Sequence, residues 1–113
     1  MHANVENIGS AAVVHLTADQ LEIDNVDAFK QAMTPIIREN KQVVLDMGRF
    51  QFVDSAGCGA IISCLKQLRE AGGDLKLCRV NDYVRTVFDV IRLHHLCEIL
   101  DSKEEAVQAF MTG

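Results

Sequence analysis

The chain has 113 residues, 49% of them apolar and 24% charged, which suits one compact domain (1–113) with one core and leaves too little chain for two. Its formal net charge is −5, with Lys and Arg scattered singly or in pairs, so nucleic-acid and anionic-membrane binding are disfavoured. No apolar run approaches the length of a membrane span, and the N-terminus has no basic and apolar stretch of a signal peptide, so a cytoplasmic protein is expected.

"VENIG" followed by "AAVVHLTA" (11–18) reads as two strands of a hairpin. From Asn25 the period changes. Phe29, Ala32, Met33, Ile36 and Ile37 fall on one face of a helix, in which Pro35 predicts a kink and Asn40 a stop. "QVVLDM" (42–47) is a short apolar run, read as a buried strand, and "FQFV" (50–53) is extended. Gly57, Ala60, Ile61, Cys64, Leu65 and Leu68 mark the clearest amphipathic helix, closed by Gly72-Gly73. "DLKLCRV" (74–80) alternates as a strand. Asn81 or Asp82 caps the next helix, with Val84, Val87, Phe88 and Ile91 inside. "LCEIL" (96–100) is a last strand. Asp101 or Ser102 caps a final helix, with Glu104 and Glu105 in its first turn where the dipole favours acids. Alternation of strands and helices implies an α/β fold with a mostly parallel sheet of about five strands, an antiparallel N-terminal hairpin and about four helices.

The four cysteines, at 58, 64, 78 and 97, contain no C-x-x-C pair, so neither a zinc site nor a redox pair is suggested, and they read as small buried hydrophobes. The glycines spell neither a phosphate-binding loop nor a dinucleotide fingerprint, and no cofactor or metal is expected. A phosphoaspartate receiver needs acids clustered at strand ends, which "TAD" (17–19) does not supply. A serine nucleophile needs a base and the G-x-S-x-G turn, and "DSAG" lacks that turn.

"FVDSAGCG" (52–59) lies where a strand hands over to a helix, the place where function gathers in open sheets. Ser55 can serve simply as the helix N-cap, the commoner use of a serine there. Three features favour more. Cys58 and Ile62 lie four apart beside the inner stripe and form a surplus apolar patch. Gly59 is on neither apolar stripe, at a cost of about 1 kcal/mol relative to alanine, which another chain approaching the backbone would justify. A phosphate on Ser55 would meet free helix amides and place a charge of roughly −1.5 to −2 beside Asp54.

At "LDMGRFQFVDSAGCGAI" the sequence resembles the STAS domain family. It is similar in particular to the stand-alone anti-sigma-factor antagonists of bacterial partner-switching systems. The tail "VRTVFDVIRLHHLCEILDSKEEA" is similar to the family's helix, short strand and acidic start of the final helix. The resemblance implies a STAS fold and a non-enzymatic regulator of transcription. It implies phosphorylation of Ser55 by an anti-sigma factor that is itself a serine kinase and binds the ATP. It implies also release of that partner on phosphorylation and restoration by a PP2C-type phosphatase. The partner-binding surface it implies comprises Asp54, Ala56, Gly57, Cys58, Gly59 and Ile62. Glu22 in "DQLE" (19–22) stands where the family usually has Asp after a G-x-L. Cys58 replaces the family's leucine. The family also includes stressosome-like scaffolds and accessory subunits of lipid-transport ABC complexes, the alternative role for this chain.

Overall fold

A computed structural model describes residues 1–112. Strands β1 (Ala3–Ile8) and β2 (Ala11–Leu16) pair antiparallel, with Ala3 opposite Leu16 and Ile8 opposite Ala11. Strand β3 (Gln20–Leu21) is short, and helix α1 (Val26–Glu39) follows it. Strands β4 (Gln42–Asp46) and β5 (Phe52–Val53) precede helix α2 (Ser55–Glu70). The chain continues through strand β6 (Asp74–Cys78), helix α3 (Asp82–Val90), a 3-10 turn (Leu93–His95), strand β7 (Ile99–Leu100) and helix α4 (Lys103–Thr112).

The main sheet runs β1-β2-β4-β6-β7, parallel from β2 onward. Its side chains alternate between two layers, as successive residues of a strand must. Val14, Leu16, Val43, Leu45, Leu75 and Leu77 face α1, α2 and α3, meeting Phe29, Met33, Ile61, Leu65, Leu68 and Phe88. Ala11, Val13, Val44 and Cys78 face α4, meeting Ala106 and Val107. Burial on both faces explains the apolar runs at Ala11–Val14 in β2 and Val43–Leu45 in β4.

The expected hairpin, the five-stranded mixed sheet and the four helices are present. Helix α1 runs through Pro35 to Glu39 and stops at Asn40, as expected. Pro35 and Gln31, whose carbonyl loses its bond, are both exposed, so the gap faces solvent. Two local expectations change. Leu96 and Cys97 are not strand: their amides close back on the Leu93 carbonyl, at 2.8 and 3.0 Å, and β7 shrinks to two residues. Strand β3 is unexpected. It pairs parallel with β5, Gln20 with Phe52 and Leu21 with Val53, in a separate two-stranded ladder too short to show a period. As expected, Gly72 takes the left-handed φ of +86° just past α2, and the Gly73 amide closes the helix end on the Leu68 carbonyl at 2.7 Å.

Candidate functional site

The β5–α2 junction is built around Asp54. The backbone stays extended through this residue (φ −98°, ψ −175°), so Asp54 is the N-cap. Its Oδ1 accepts from the Gly57 amide at 2.8 Å, and its carbonyl accepts from the Cys58 amide at 3.0 Å. Its own amide donates to the Leu21 carbonyl at 3.2 Å, and Oδ2 accepts from the Ile23 amide at 3.0 Å. One side chain therefore starts α2 and pins the loop after β3 to it. Leu21 and Ile23 thereby come to the serine-bearing turn although the sequence separates them by some thirty residues.

Ser55 is not the cap, contrary to the simplest expectation. Asp and Ser rank alike as caps, and the choice goes to the residue that remains extended, here Asp54. Ser55 is instead the first residue of the helix and is exposed. Its hydroxyl is thus spared the capping role. Of the first-turn amides, Asp54 takes those of Gly57 and Cys58. Those of Ser55 and Ala56 have no helix carbonyl available to them.

The two glycines serve different ends. A Cβ on Gly57 would lie 2.3 Å from the Leu21 carbonyl oxygen and 2.9 Å from Val53 Cγ1, so a bare Cα is what admits β3 against α2. A Cβ on Gly59 would meet nothing within 4 Å. Nothing inside the molecule requires that glycine.

The expected apolar patch is altered. Cys58 is only 2% exposed and belongs to the main core, so it is a packing residue and not part of the accessible surface. Burial, reinforced by the nearby Asp54 charge, pushes its thiol above the ordinary range. Gly57 is buried as well, while Ala56, Ile62, Asp54 and Glu22 are half-buried and Gly59 is exposed. The large exposed apolar side chain at this junction is Ile23, at 66% exposure, which sequence reasoning passed over. Strand alternation would put Ile23 on the same side as buried Leu21; the strand ends at Leu21, and the turn that follows carries Ile23 out to solvent, so no local pattern announced it. Glu22 lies in the same turn, its amide held by Asn25 Oδ1 at 2.9 Å.

No base is presented to Ser55 by the histidine of the sheet. His15 lies with Val13 on the α4 side, and α2 covers the opposite side. Its Nδ1 is 3.2 Å from Asp46 Oδ2 and its Nε2 is 3.2 Å from Glu6 Oε1. Asp46 is buried and also accepts from Arg79 Nε at 2.9 Å and from the Gly48 amide at 2.9 Å. Among the described residues no cluster of His, Cys, Asp and Glu could hold a metal ion, and no helix is long and apolar enough to cross a membrane.

A mixed sheet opened by a hairpin, with a D-S-x-G turn at the start of its central helix, defines a class. The STAS domain model matches residues 2–106, and the chain belongs to that family. Its relatives are more particular. BtrV of Bordetella bronchiseptica is 38% identical over 73 residues, which cover 65% of this chain and 63% of BtrV, under two thirds of that protein's length. The anti-sigma F factor antagonist of Paenibacillus polymyxa is 28% identical over 98 residues, covering 87% of this chain and 79% of that one. Among solved structures, the anti-sigma factor antagonist SpoIIAA in its unphosphorylated form superposes with a TM-score of 0.69 at 19% identity, over 98% of each chain. The phosphorylated form of SpoIIAA, from Bacillus, superposes with the same TM-score at 20% identity, over 96% of this chain and 98% of that one. At such identities the superpositions establish the shared fold.

Proposed function

We propose that this chain is an anti-sigma factor antagonist whose partner binding is switched off by phosphorylation of Ser55. The observation that carries the proposal is the exposed Ser55 at the first position of α2, with the cap supplied by Asp54 and the serine hydroxyl left for chemistry. A partner serine kinase that carries the ATP can reach that hydroxyl without unfolding anything. The unphosphorylated protein binds this anti-sigma factor across Ala56, Gly59, Ile62 and the Glu22 turn. Gly59 leaves the helix backbone open to a second chain.

A phosphate on Ser55 has the open amides of Ser55 and Ala56 beside it, at the positive end of α2. It therefore stays at the junction without disturbing the fold. It also brings a charge of roughly −1.5 to −2 next to the Asp54 carboxylate. Covering that charge with a close-fitting partner requires desolvating it, and binding is lost. Removal of the phosphate by a PP2C-type phosphatase restores the surface. All of this takes place in the cytoplasm. In kinship the reading is supported by relatives named as anti-sigma factor antagonists and by a structural neighbour that exists in phosphorylated and unphosphorylated forms.

The test is the affinity of the cognate kinase for three proteins: unmodified, carrying genetically encoded phosphoserine at 55, and Ser55→Asp. The unmodified protein binds, and the two charged forms bind about 100-fold more weakly or worse. Equal affinity of all three would mark a permanent accessory subunit or scaffold and end the switch.

A further inference from the structure

We infer that the stacked pair Phe52–Tyr83 is an anchoring ledge for the same partner, extending the docking surface from α2 onto α3. The inference rests on the Ser55 switch and adds residues to it. The first turn of α2 offers a partner little to grip: Ala56, Gly57 and Gly59 carry a methyl or nothing, and Cys58 is buried. The grip must come from beside the helix. Tyr83, second residue of α3, is 55% exposed, and its ring stacks on half-buried Phe52 with centroids 6.2 Å apart and planes 20° apart. Neither ring belongs to the core clusters.

The ledge is fixed in place relative to Ser55. Asn81 caps α3 by accepting from the Val84 amide at 2.8 Å, and its Nδ2 donates to the Phe50 carbonyl at 3.0 Å. That second bond ties α3 to the segment that runs through Phe52 into Asp54 and Ser55. Three residues of chain keep the Phe52 and Ser55 Cα atoms within about 11 Å of each other. A partner covering the usual ~800 Å² has a footprint of roughly 16 Å radius, so one centred on Ser55 reaches the ledge. Rigid, half-wet aromatic rings are the side chains most often found to dominate binding. The partner's matching feature is an apolar side chain laid against the Tyr83 ring.

Tyr83 is the sole tyrosine and the chain has no tryptophan, so a fluorine label on tyrosine reports this site alone. The experiment takes 3-fluorotyrosine-labelled protein and the unlabelled kinase that phosphorylates Ser55, held unreactive with a non-hydrolysable ATP analogue. The fluorine resonance shifts or broadens on binding. Tyr83→Ala weakens the affinity about tenfold or more, while Tyr83→Phe, which keeps the ring, stays within about twofold. Melting temperatures of both variants confirm that the fold is kept. Binding with an unmoved resonance and an unweakened Tyr83→Ala overturns the ledge and leaves the switch standing. No binding by the unsubstituted protein overturns both.

Discussion

Replacing Gly57 and Gly59 one at a time with alanine should move stability in opposite directions. At Gly57 the new methyl would sit 2.3 Å from the Leu21 carbonyl oxygen, well inside the contact distance of about 3.4 Å. That oxygen belongs to β3 backbone and accepts from the Asp54 amide at 3.2 Å, so it cannot swing aside without giving up the bond that holds β3 to the junction. The start of α2 must lift instead. Overpacking of this kind costs about 1–3 kcal/mol, and a backbone obstacle places it in the upper half. Helix propensity returns about 1 kcal/mol, which leaves a net loss of about 1–2 kcal/mol. At Gly59 there is no obstacle within 4 Å, so only the gain of roughly 0.5–1 kcal/mol remains. The two variants should differ by about 1.5–3 kcal/mol, or on the order of 10 °C in melting temperature. Urea titration followed by circular dichroism measures the difference. A Gly57→Ala protein as stable as the parent would refute the packing argument. A destabilised Gly59→Ala protein would refute the open surface. Kinase affinity supplies the functional half: Gly59→Ala, although more stable, should bind more weakly.

Other consequences are equally direct. Asp54→Ala removes the acceptor for both the Gly57 and Ile23 amides, and should cost about 1–2 kcal/mol in urea unfolding and raise hydrogen exchange at Ile23. Unchanged exchange at Ile23 would show that the pin does not operate. Glu6 is held below its ordinary carboxylate range by hydrogen bonds from Lys103 Nζ, at 2.8 Å, and from His15 Nε2, at 3.2 Å. A depressed carboxylate stabilises fully above its unfolded value and loses that contribution as pH falls through its folded one. The urea midpoint of Glu6→Gln should therefore lie below that of the parent at pH 7, with the gap closing below about pH 4; a gap independent of pH would contradict the pairing. All four cysteines are buried, and burial pushes Cys64 and Cys97 up to about 11 and Cys78 to about 12. Iodoacetamide at neutral pH should leave the folded protein unmodified and alkylate all four in urea, whereas rapid alkylation of the folded chain would mean the thiols are exposed.

The fold was legible wherever an element is long enough to show a period. Helices α1 and α2 repeat their apolar residues over several turns, β2 and β4 carry apolar runs because both faces are covered, and β6 alternates. Strand β3, of two residues, has no period to read and exists only through its neighbour, whereas β7 was legible as a strand but not in its two-residue extent. At the site, the serine, the acid and the odd glycine at 59 stood out in sequence. The division of labour between Asp54 and Ser55 did not, because it depends on which residue keeps an extended backbone. Cys58 misled because position beside a helix's inner stripe does not tell how far a neighbouring layer wraps round it. The approach of Ile23 to the serine turn, and of Tyr83 to Phe52, is tertiary. It is made by Asp54 Oδ2 on one side and Asn81 Nδ2 on the other, and no local pattern announces either bond.

The switch turns on one hydroxyl. Incubated with its cognate kinase and ATP, the protein should gain the mass of a single phosphate, and peptide spectra should place it on Ser55, with Ser55→Ala gaining none. A phosphate located on another residue, or an unmodified Ser55 in a protein that binds the kinase tightly, would contradict the switch.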